Sequence, residues 1–288
     1  MVHRNPAAER RHWLFDQLRE RYEHPLEVRA YERQVAHGLL SEERAILERT
    51  IVGTARILVL GCGAGREAFV LEAMGHQVVG VDISQEMIKT AKRQAARRGS
   101  SITWMWMPAP LEIPLPTHSF DGVVAFAQLL SHIPNAEARI ALLSEIRRVL
   151  RPQGVLVASF TTRRAARELT GESKDAERAD GSIRSEGSST SELIAEEPFD
   201  EPDVDVEGDA LSGLELAAGW EDGDILVWEP SDAELDEPLF FHLHTDDEIR
   251  NEVAAAGLEL VDLVDPRKIT DRPAWDAHRY PFLVAKAP

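Results

Sequence analysis

The chain has 288 residues, a net charge of −18, one cysteine and an apolar fraction of 43%. One cysteine excludes an internal disulfide, and no apolar run approaches the roughly 18 residues of a membrane-spanning helix. The amino-terminal residues also lack the apolar stretch of a signal peptide. We therefore expect a cytoplasmic protein that folds as one domain with an insertion.

The negative charge is concentrated in one segment of the chain. Residues 171–237 contain 23 acidic and three basic side chains, whereas the remaining residues carry a net charge of +2. Residues 171–210 are also rich in glycine and serine and poor in aromatic residues, which is typical of a loosely ordered segment. Its negative field would repel polyanions, which disfavours nucleic acid as a substrate.

Residues 1–52 are predicted to form an N-terminal helical region. Apolar side chains at helical spacing indicate a first helix, which Pro25 ends. A second helix is expected over residues 27–37. A third helix then begins with Ser41 as its N-cap, because a serine hydroxyl can accept a hydrogen bond from the first free backbone N–H groups.

From residue 53 onward, short apolar runs alternate with helical patterns. The run Ile57–Leu60 is wholly apolar and ends at a glycine, which suits a strand covered on both faces of a parallel sheet. The alternation predicts a doubly wound α/β domain made of residues 53–160 and 238–288. Strands are expected at 57–60, 77–81, 102–107, 122–126, 155–160, 258–264 and 280–285, and helices at 66–74, 84–97 and 136–150.

Residues 161–237 interrupt this alternation and are predicted to be an acidic insertion, partly disordered. Order is expected to return near Asp224–Trp228 and Leu239–Phe241, which are short apolar runs. Thr245 and Glu248 then have the spacing of a capping box, which predicts that a helix begins there.

A glycine-rich loop, Gly61-Cys62-Gly63-Ala64-Gly65-Arg66, lies between a predicted buried strand and a predicted helix. Glycines let the backbone turn sharply and let a ligand approach the main chain, and the free N–H groups at a helix start add a polar surface. A dinucleotide-binding loop has the pattern G-x-G-x-x-G and would need glycine or alanine at Arg66. The third glycine comes one residue earlier here, which disfavours a dinucleotide.

A carboxylate after the second strand supports a nucleoside cofactor. Asp82 lies 17 residues after Gly65. At the carboxyl end of the adjacent strand, it could accept hydrogen bonds from both ribose hydroxyls. In the alternative interpretation Asp82 caps the following helix, but Ser84 can serve as that cap instead.

The segment Leu58–Ser84, with Met87, resembles the cofactor-binding motifs of class I S-adenosylmethionine-dependent methyltransferases. It is most similar to the broad group that includes the ubiquinone and menaquinone methyltransferases. The resemblance implies a Rossmann-like, doubly wound, seven-stranded sheet with the last strand antiparallel, and N-terminal helices that cover the pocket as a lid. It also implies methyltransferase activity with S-adenosyl-L-methionine as the cofactor. Further similar segments are residues 115–124, 148–156 and 241–258, so the resemblance covers about residues 55–160 and 238–286.

The resemblance also assigns cofactor-binding residues. By position, the three loop glycines would line the methionine part of the cofactor, Asp82 would hold the ribose and Ile83 would pack on the adenine. The chain departs from the family at Ala109, where an acidic residue often bonds the adenine amino group. The expected cofactor-binding residues are Gly61, Cys62, Gly63, Ala64, Gly65, Asp82, Ile83, Met87, Ala109, Pro110, Leu111, Phe126 and Ala127.

Catalytic residues are harder to predict, because methyl transfer depends mainly on the alignment of the reacting atoms. A general base helps when the acceptor must lose a proton. Gln128, Ser131 and His132 follow the fourth strand, and His132 is a candidate base. His242 is a second candidate, although His242 and His244 alternate in direction, so at most one should face the site. No metal site is expected from one cysteine and scattered histidines.

The leading functional hypothesis is an enzyme that methylates a small molecule at oxygen, nitrogen or carbon. A first alternative is a tRNA methyltransferase of the wobble-uridine type, since Gly223-Asp224 and His242 resemble elements of that group. The acidic insertion and the near-neutral remainder argue against it, because phosphate contacts need lysine and arginine. A second alternative is a non-catalytic partner protein with the methyltransferase fold, which only Ala109 supports.

Overall fold

A computed structural model describes residues 6–164, 221–227, 239–269 and 280–288. Most of the predicted insertion, including Trp228, lies outside the described residues. The helices are α1 (Pro6–Glu23), α2 (Pro25–Gln34), α3 (Ser41–Thr50), α4 (Arg66–Ala73), α5 (Gln85–Arg98), α6 (Ala136–Val149) and α7 (Asp246–Ala255), with short 3₁₀ helices at Leu129–His132 and Pro266–Lys268. The strands are β1 (Arg56–Leu60), β2 (Gln77–Asp82), β3 (Thr103–Trp106), β4 (Phe120–Ala125), β5 (Leu150–Ser159), β6 (Asp224–Val227), β7 (Leu239–His242), β8 (Glu259–Val264) and β9 (Phe282–Lys286).

Seven strands form one twisted sheet in the order β3-β2-β1-β4-β5-β9-β8. The first five pair in parallel, and β9 is antiparallel to both of its neighbours. This confirms the predicted doubly wound sheet with an antiparallel last strand. The direction of winding reverses between β1 and β4, and in such sheets ligands bind beyond the carboxyl ends of the strands at that point.

Strand β1 shows why a wholly apolar run is needed at the centre of this sheet. Its alternate side chains Ile57 and Val59 belong to a buried cluster that includes residues of α3, α4 and α5. Leu58 and Leu60 point to the opposite face, into a cluster that includes residues of α6 and α7. All four are at most 2% exposed, so each contributes roughly 1.5–3 kcal/mol to stability through burial.

Helix α3 begins differently from the prediction. Leu40, not Ser41, is the N-cap residue, with an extended backbone (φ −62°, ψ 158°). The Leu40 N–H donates to Glu43 Oε2 at 2.9 Å, and the Ser41 hydroxyl donates to Glu42 Oε2 at 3.0 Å. The Ser41 cap was therefore wrong, because the N-cap lies one residue earlier and the Ser41 hydroxyl donates to Glu42 instead of accepting from the helix backbone.

Three other predicted helix boundaries are confirmed, whereas the second helix spans Pro25–Gln34 instead of residues 27–37. Ser84 is the N-cap of α5, and its hydroxyl accepts a hydrogen bond from the backbone N–H of Met87 at 3.1 Å. Thr245 and Glu248 form the predicted capping box at the start of α7. Pro25 is the first residue of α2, directly after the break that ends α1. No helix among the described residues is long and apolar enough to cross a membrane.

Candidate functional site

A cavity of about 720 Å³, including its open mouth, lies at the carboxyl ends of the central strands. The last residue of β1, Leu60, and the last residue of β2, Asp82, line it, and so does Phe126, which follows β4. The position is the one that the reversal of the sheet predicts.

The glycine loop forms one wall of the cavity. Gly61 and Gly63 line it, with left-handed φ values of 68° and 49°. The Gly61 N–H donates to the carbonyl oxygen of Val81 at 2.8 Å, which attaches the loop to the end of β2. A Cβ on Gly61 would overlap the side chain of Leu129. The loop therefore presents backbone to the cavity, and the positive φ values at these turns favour glycine.

The third glycine of the loop has a different role. Gly65 does not line the cavity, and it has a φ of 104° at the start of α4. A Cβ there would lie 2.7 Å from Phe69 and 2.8 Å from Trp104. Gly65 thus allows α4 and β3 to pack closely behind the loop.

Asp82 is a buried carboxylate on the cavity wall, with 7% of its surface exposed. Its Oδ2 accepts a hydrogen bond from the Gly63 N–H at 2.8 Å, and its Oδ1 accepts one from the Ser84 N–H at 2.8 Å. Burial raises the pKa of Asp82 to about 6, although the same hydrogen bonds favour the ionised form. Because Ser84 is the helix cap, Asp82 has no capping role, and each of its oxygens can accept a further hydrogen bond.

The cavity brings together most of the predicted cofactor-binding residues but not all of them. Those that line it are Gly61, Gly63, Asp82, Ile83, Met87, Pro110, Phe126 and Ala127. Those that do not are Cys62, Ala64, Gly65, Ala109 and Leu111. Cys62 is 1% exposed, and burial raises the pKa of its thiol well above the usual value, so it is not an activated nucleophile.

Helices α1 and α2 contribute lining residues that the sequence patterns alone did not assign to the site. Phe15, Leu18 and Tyr22 come from α1, and Tyr31 comes from α2. The helical spacing of Leu18 and Tyr22 identifies an apolar face of α1, but spacing does not show what that face covers. Tyr22 and Tyr31 contact each other edge to face, with ring centroids 5.6 Å apart.

His132, the first candidate base, lines the cavity and is 8% exposed. Its Nδ1 lies 3.0 Å from the carbonyl oxygen of Phe240, and its ring centroid lies 4.3 Å from that of Phe241. A carbonyl can only accept, so this contact places the proton on Nδ1 and leaves Nε2 as an acceptor. Burial lowers the pKa of His132 to about 4, so its imidazole is neutral near pH 7.

His242, the second candidate base, lies away from the cavity. Neither His242 nor His244 is among the lining residues, and both are fully buried. Antiparallel pairing of β6 and β7 sets His242 opposite Asp224, and its Nδ1 lies 2.7 Å from Asp224 Oδ1. The sequence allowed at most one of these histidines to face the site, and neither lines the cavity, since a carboxylate 18 residues earlier in the chain engages His242.

A group of charged side chains surrounds this histidine. Ligand-type atoms of Glu221, Asp224 and His242 lie within 4.8 Å of one another, as they would around a metal ion. However, Glu221 Oε2 already accepts from Arg139 at 2.8 Å, and Asp224 Oδ2 accepts from the Glu221 N–H at 2.8 Å. With a guanidinium directly on one of the carboxylates, the group forms an internal network of hydrogen bonds and ion pairs rather than a cation site.

Comparison with known families matches residues 57–154 to a methyltransferase domain. The chain is 28% identical over 141 residues to a ubiquinone biosynthesis O-methyltransferase of Psychrobacter cryohalolentis, covering 48% of this chain and 53% of that protein. It is 31% identical over 121 residues to the protein of the same name from Bradyrhizobium diazoefficiens, covering 42% and 46%. The chain therefore spans about half the length of the curated relatives that it matches.

The fold is also found in solved structures. A SAM-dependent methyltransferase from Methanosarcina mazei superposes with a TM-score of 0.57 at 17% identity, over 86% of this chain and 98% of that one. S-adenosylmethionine is the cofactor of this class, and its expected binding motifs are the glycine loop and Asp82 on the cavity wall. The chain thus contains a methyltransferase domain, which is matched over residues 57–154. These residues form part of a seven-stranded sheet of the type found in class I S-adenosylmethionine-dependent methyltransferases.

Proposed function

We propose that the chain transfers the methyl group of S-adenosylmethionine to an oxygen or nitrogen of a small, uncharged and largely apolar acceptor. One observation carries this proposal. A single cavity joins the glycine loop and Asp82 at the ends of β1 and β2 to His132, which follows β4. The cavity therefore provides a cofactor-binding wall and a proton acceptor in the same space.

The residues of this wall fit S-adenosylmethionine. Gly61 and Gly63 present backbone to the cavity, and the side chains of Leu129 and Tyr31 pack where their Cβ atoms would lie. The buried carboxylate of Asp82 has the acceptor capacity that two ribose hydroxyls need. Ile83 and Met87 add apolar surface beside it, which suits a base ring. When bound, the cofactor supplies a methyl group activated by a positively charged sulfur.

The remaining lining residues indicate which kind of acceptor the cavity can hold. Phe15, Leu18, Ile133 and Leu142 make this part of the cavity strongly apolar. Across the described residues, no lysine or arginine lines the cavity. An acceptor bearing a phosphate or carboxylate would lose its hydration there without gaining a partner, which is costly. An uncharged phenol, alcohol or aromatic amine would lose much less hydration free energy on entering the cavity.

His132 is suited to take the proton that such an acceptor must lose. It is neutral near pH 7, and its Nε2 is the acceptor nitrogen because Nδ1 donates to Phe240. A base with so low a pKa is weak towards a free hydroxyl. The acceptor proton becomes far more acidic as its oxygen or nitrogen bonds to carbon, so a weak base is sufficient at that stage. Alignment within the cavity provides most of the acceleration.

The two alternative functions have less support in the described structure. A tRNA substrate would need lysine or arginine for its phosphates, and neither lines the cavity among the described residues. A non-catalytic role was suggested by Ala109, but Ala109 does not line the cavity, whereas its neighbour Pro110 does.

Calorimetric titration with S-adenosylmethionine and S-adenosylhomocysteine tests the cofactor step. Wild-type protein should bind both ligands, and Asp82→Asn should bind at least tenfold more weakly, a loss of about 1.4 kcal/mol from weakened ribose contacts. Asp121→Asn is the matched control, because Asp121 lies at the amino end of β4 and bonds the Arg56 N–H outside the cavity. If folded wild-type protein bound neither ligand, the enzyme proposal would be wrong.

Transfer of an isotopically labelled methyl group tests the acceptor class. Uncharged phenols and anilines should accept the label, and carboxylated analogues of the same size should not. Equal labelling of both sets would contradict the uncharged acceptor while leaving the cofactor assignment intact.

A further inference from the structure

His132 depends for its orientation on a strand outside the main sheet. The carbonyl of Phe240 that fixes its tautomer and the ring of Phe241 that packs on it both belong to β7. Strand β7 pairs with β6 in a separate two-stranded sheet. Any shift of this sheet would move the hydrogen-bond partner of His132.

A buried side-chain pair holds the two strands in register. Asp224 and His242 are directly opposite each other at the end of the β6–β7 ladder. Their side chains are 3% and 0% exposed, and His242 Nδ1 lies 2.7 Å from Asp224 Oδ1. Because both side chains are buried, a polar pair of this kind is costly to separate, so it restricts sliding of one strand along the other.

The same network reaches the residue after His132. Glu221 Oε2 accepts from Arg139 at 2.8 Å, and Glu221 Oε1 accepts from the backbone N–H of Ala136 at 2.8 Å. The Arg139 guanidinium also donates to the carbonyl oxygen of Ile133 at 3.3 Å and to Glu252 at 2.7 Å. Arg139 is 1% exposed, so its charge depends on these partners.

His132 is therefore held from two sides. Phe240 holds its ring through β7, and Arg139 holds the backbone of the next residue, Ile133. The network of Asp224, His242, Glu221 and Arg139 joins these two supports through side chains that do not line the cavity.

We propose that this network is a positioning device for the proposed base His132, in which Asp224 and Glu221, at the carboxyl-terminal end of the acidic insertion, hold its imidazole in the Nδ1–H form. The proposal rests on the proposed function only for its effect on rate. The tautomer of His132 can be measured in the absence of any acceptor.

The test is NMR of the histidine ring nitrogens in full-length protein, with the His132 signals assigned by their loss in His132→Gln. Wild type should show His132 as the Nδ1–H tautomer. Asp224→Leu, which removes the partner of His242, should show a mixture with the Nε2–H tautomer that free imidazole favours. Its kcat should fall severalfold, and by less than in His132→Gln, because part of His132 keeps the productive tautomer, and its affinity for S-adenosylmethionine should stay within about twofold of wild type.

Three further variants complete the test, and Glu221→Ala keeps it decisive if Asp224→Leu does not fold. Asp224→Asn retains the acceptor for His242 but not the one for the Glu221 N–H, so it should restore most of the Nδ1–H signal and most of the rate. Glu221→Ala removes the links to Arg139 and Ala136 from a side chain that is 32% exposed, and it should shift the tautomer as Asp224→Leu does. Asp222→Ala removes an adjacent acid that is 89% exposed and pairs with Arg163, so it should change nothing.

An unchanged Nδ1–H signal in folded Asp224→Leu or Glu221→Ala would overturn the positioning role. A shifted tautomer in protein that transfers no methyl group would instead confirm the positioning and reject the proposed function.

Discussion

Asp82 gives the cofactor site a defined pH dependence. Burial raises its pKa to about 6, so the carboxylate is ionised above pH 6 and protonated below it. Only the ionised form accepts fully from two ribose hydroxyls. We therefore expect the affinity for S-adenosylmethionine to be constant from pH 7 to 8 and to fall up to tenfold per pH unit below about 6. Calorimetry across this range measures the effect.

Asp82→Asn is the control for this pH dependence. It cannot titrate, so its weaker affinity should be independent of pH between 5 and 8. A wild-type affinity that stayed constant down to pH 5 would show that ionisation of Asp82 does not govern binding.

The pKa of His132 predicts a second and separate dependence on pH, that of kcat. Its pKa is lowered to about 4 by burial, so its neutral form, which takes the proton, persists throughout the range in which Asp82 titrates. With saturating cofactor and acceptor, kcat should stay level down to about pH 5 and decline only near pH 4. His132→Gln should lower kcat about 100-fold, at the low end for a general base because the base is weak. A fall in kcat centred near pH 6.5 would contradict the low pKa that burial gives His132.

At the scale of elements, Arg66 joins the glycine loop to the N-terminal helices. Its guanidinium donates to both carboxylate oxygens of Glu43 on α3, at 2.7 and 2.8 Å, and to the carbonyl of Gly38 at 3.1 Å. The Glu43 side chain is 2% exposed. Arg66→Met would leave this carboxylate buried without its cation, and we expect a loss of roughly 3–5 kcal/mol in unfolding free energy.

Urea denaturation measures this loss. Arg44→Met is the control, because Arg44 is 46% exposed on α3 and pairs with Glu48 at the surface, where such pairs contribute roughly 0–1 kcal/mol. Equal midpoints for the two variants would show that Arg66 does not hold α3 against the loop.

The helices and strands also show how much of the fold and of the site could be predicted from the sequence. The strands and the glycine loop were predictable because alternation and glycine spacing are local properties, and Arg66 correctly disfavoured a dinucleotide loop. The Ser41 cap was wrong because the N-cap lies one residue earlier, at Leu40, and the Ser41 hydroxyl donates to Glu42. The position of His242 was not predictable, since Asp224 meets it only through the pairing of β6 with β7.

For the molecule as a whole, the distribution of charge distinguishes the proposed acceptor from a polyanion. The net charge of −18 arises from residues 171–237, and the remaining residues sum to +2. Among the described residues, no lysine or arginine lines the cavity. Neither the long-range field nor the site itself would attract phosphates.

This predicts that methyl transfer is nearly independent of ionic strength. With an uncharged acceptor, kcat/KM should change less than about twofold between 50 and 200 mM salt, since no counterions are released on binding. A tRNA acceptor held by six to ten phosphate contacts would instead lose about 10³–10⁵ in affinity over the same range. Steady-state rates at several salt concentrations decide between the two, with transfer to bulk tRNA as the parallel assay. A steep salt dependence with labelled tRNA would reject the small-molecule acceptor and require a basic surface outside the described cavity.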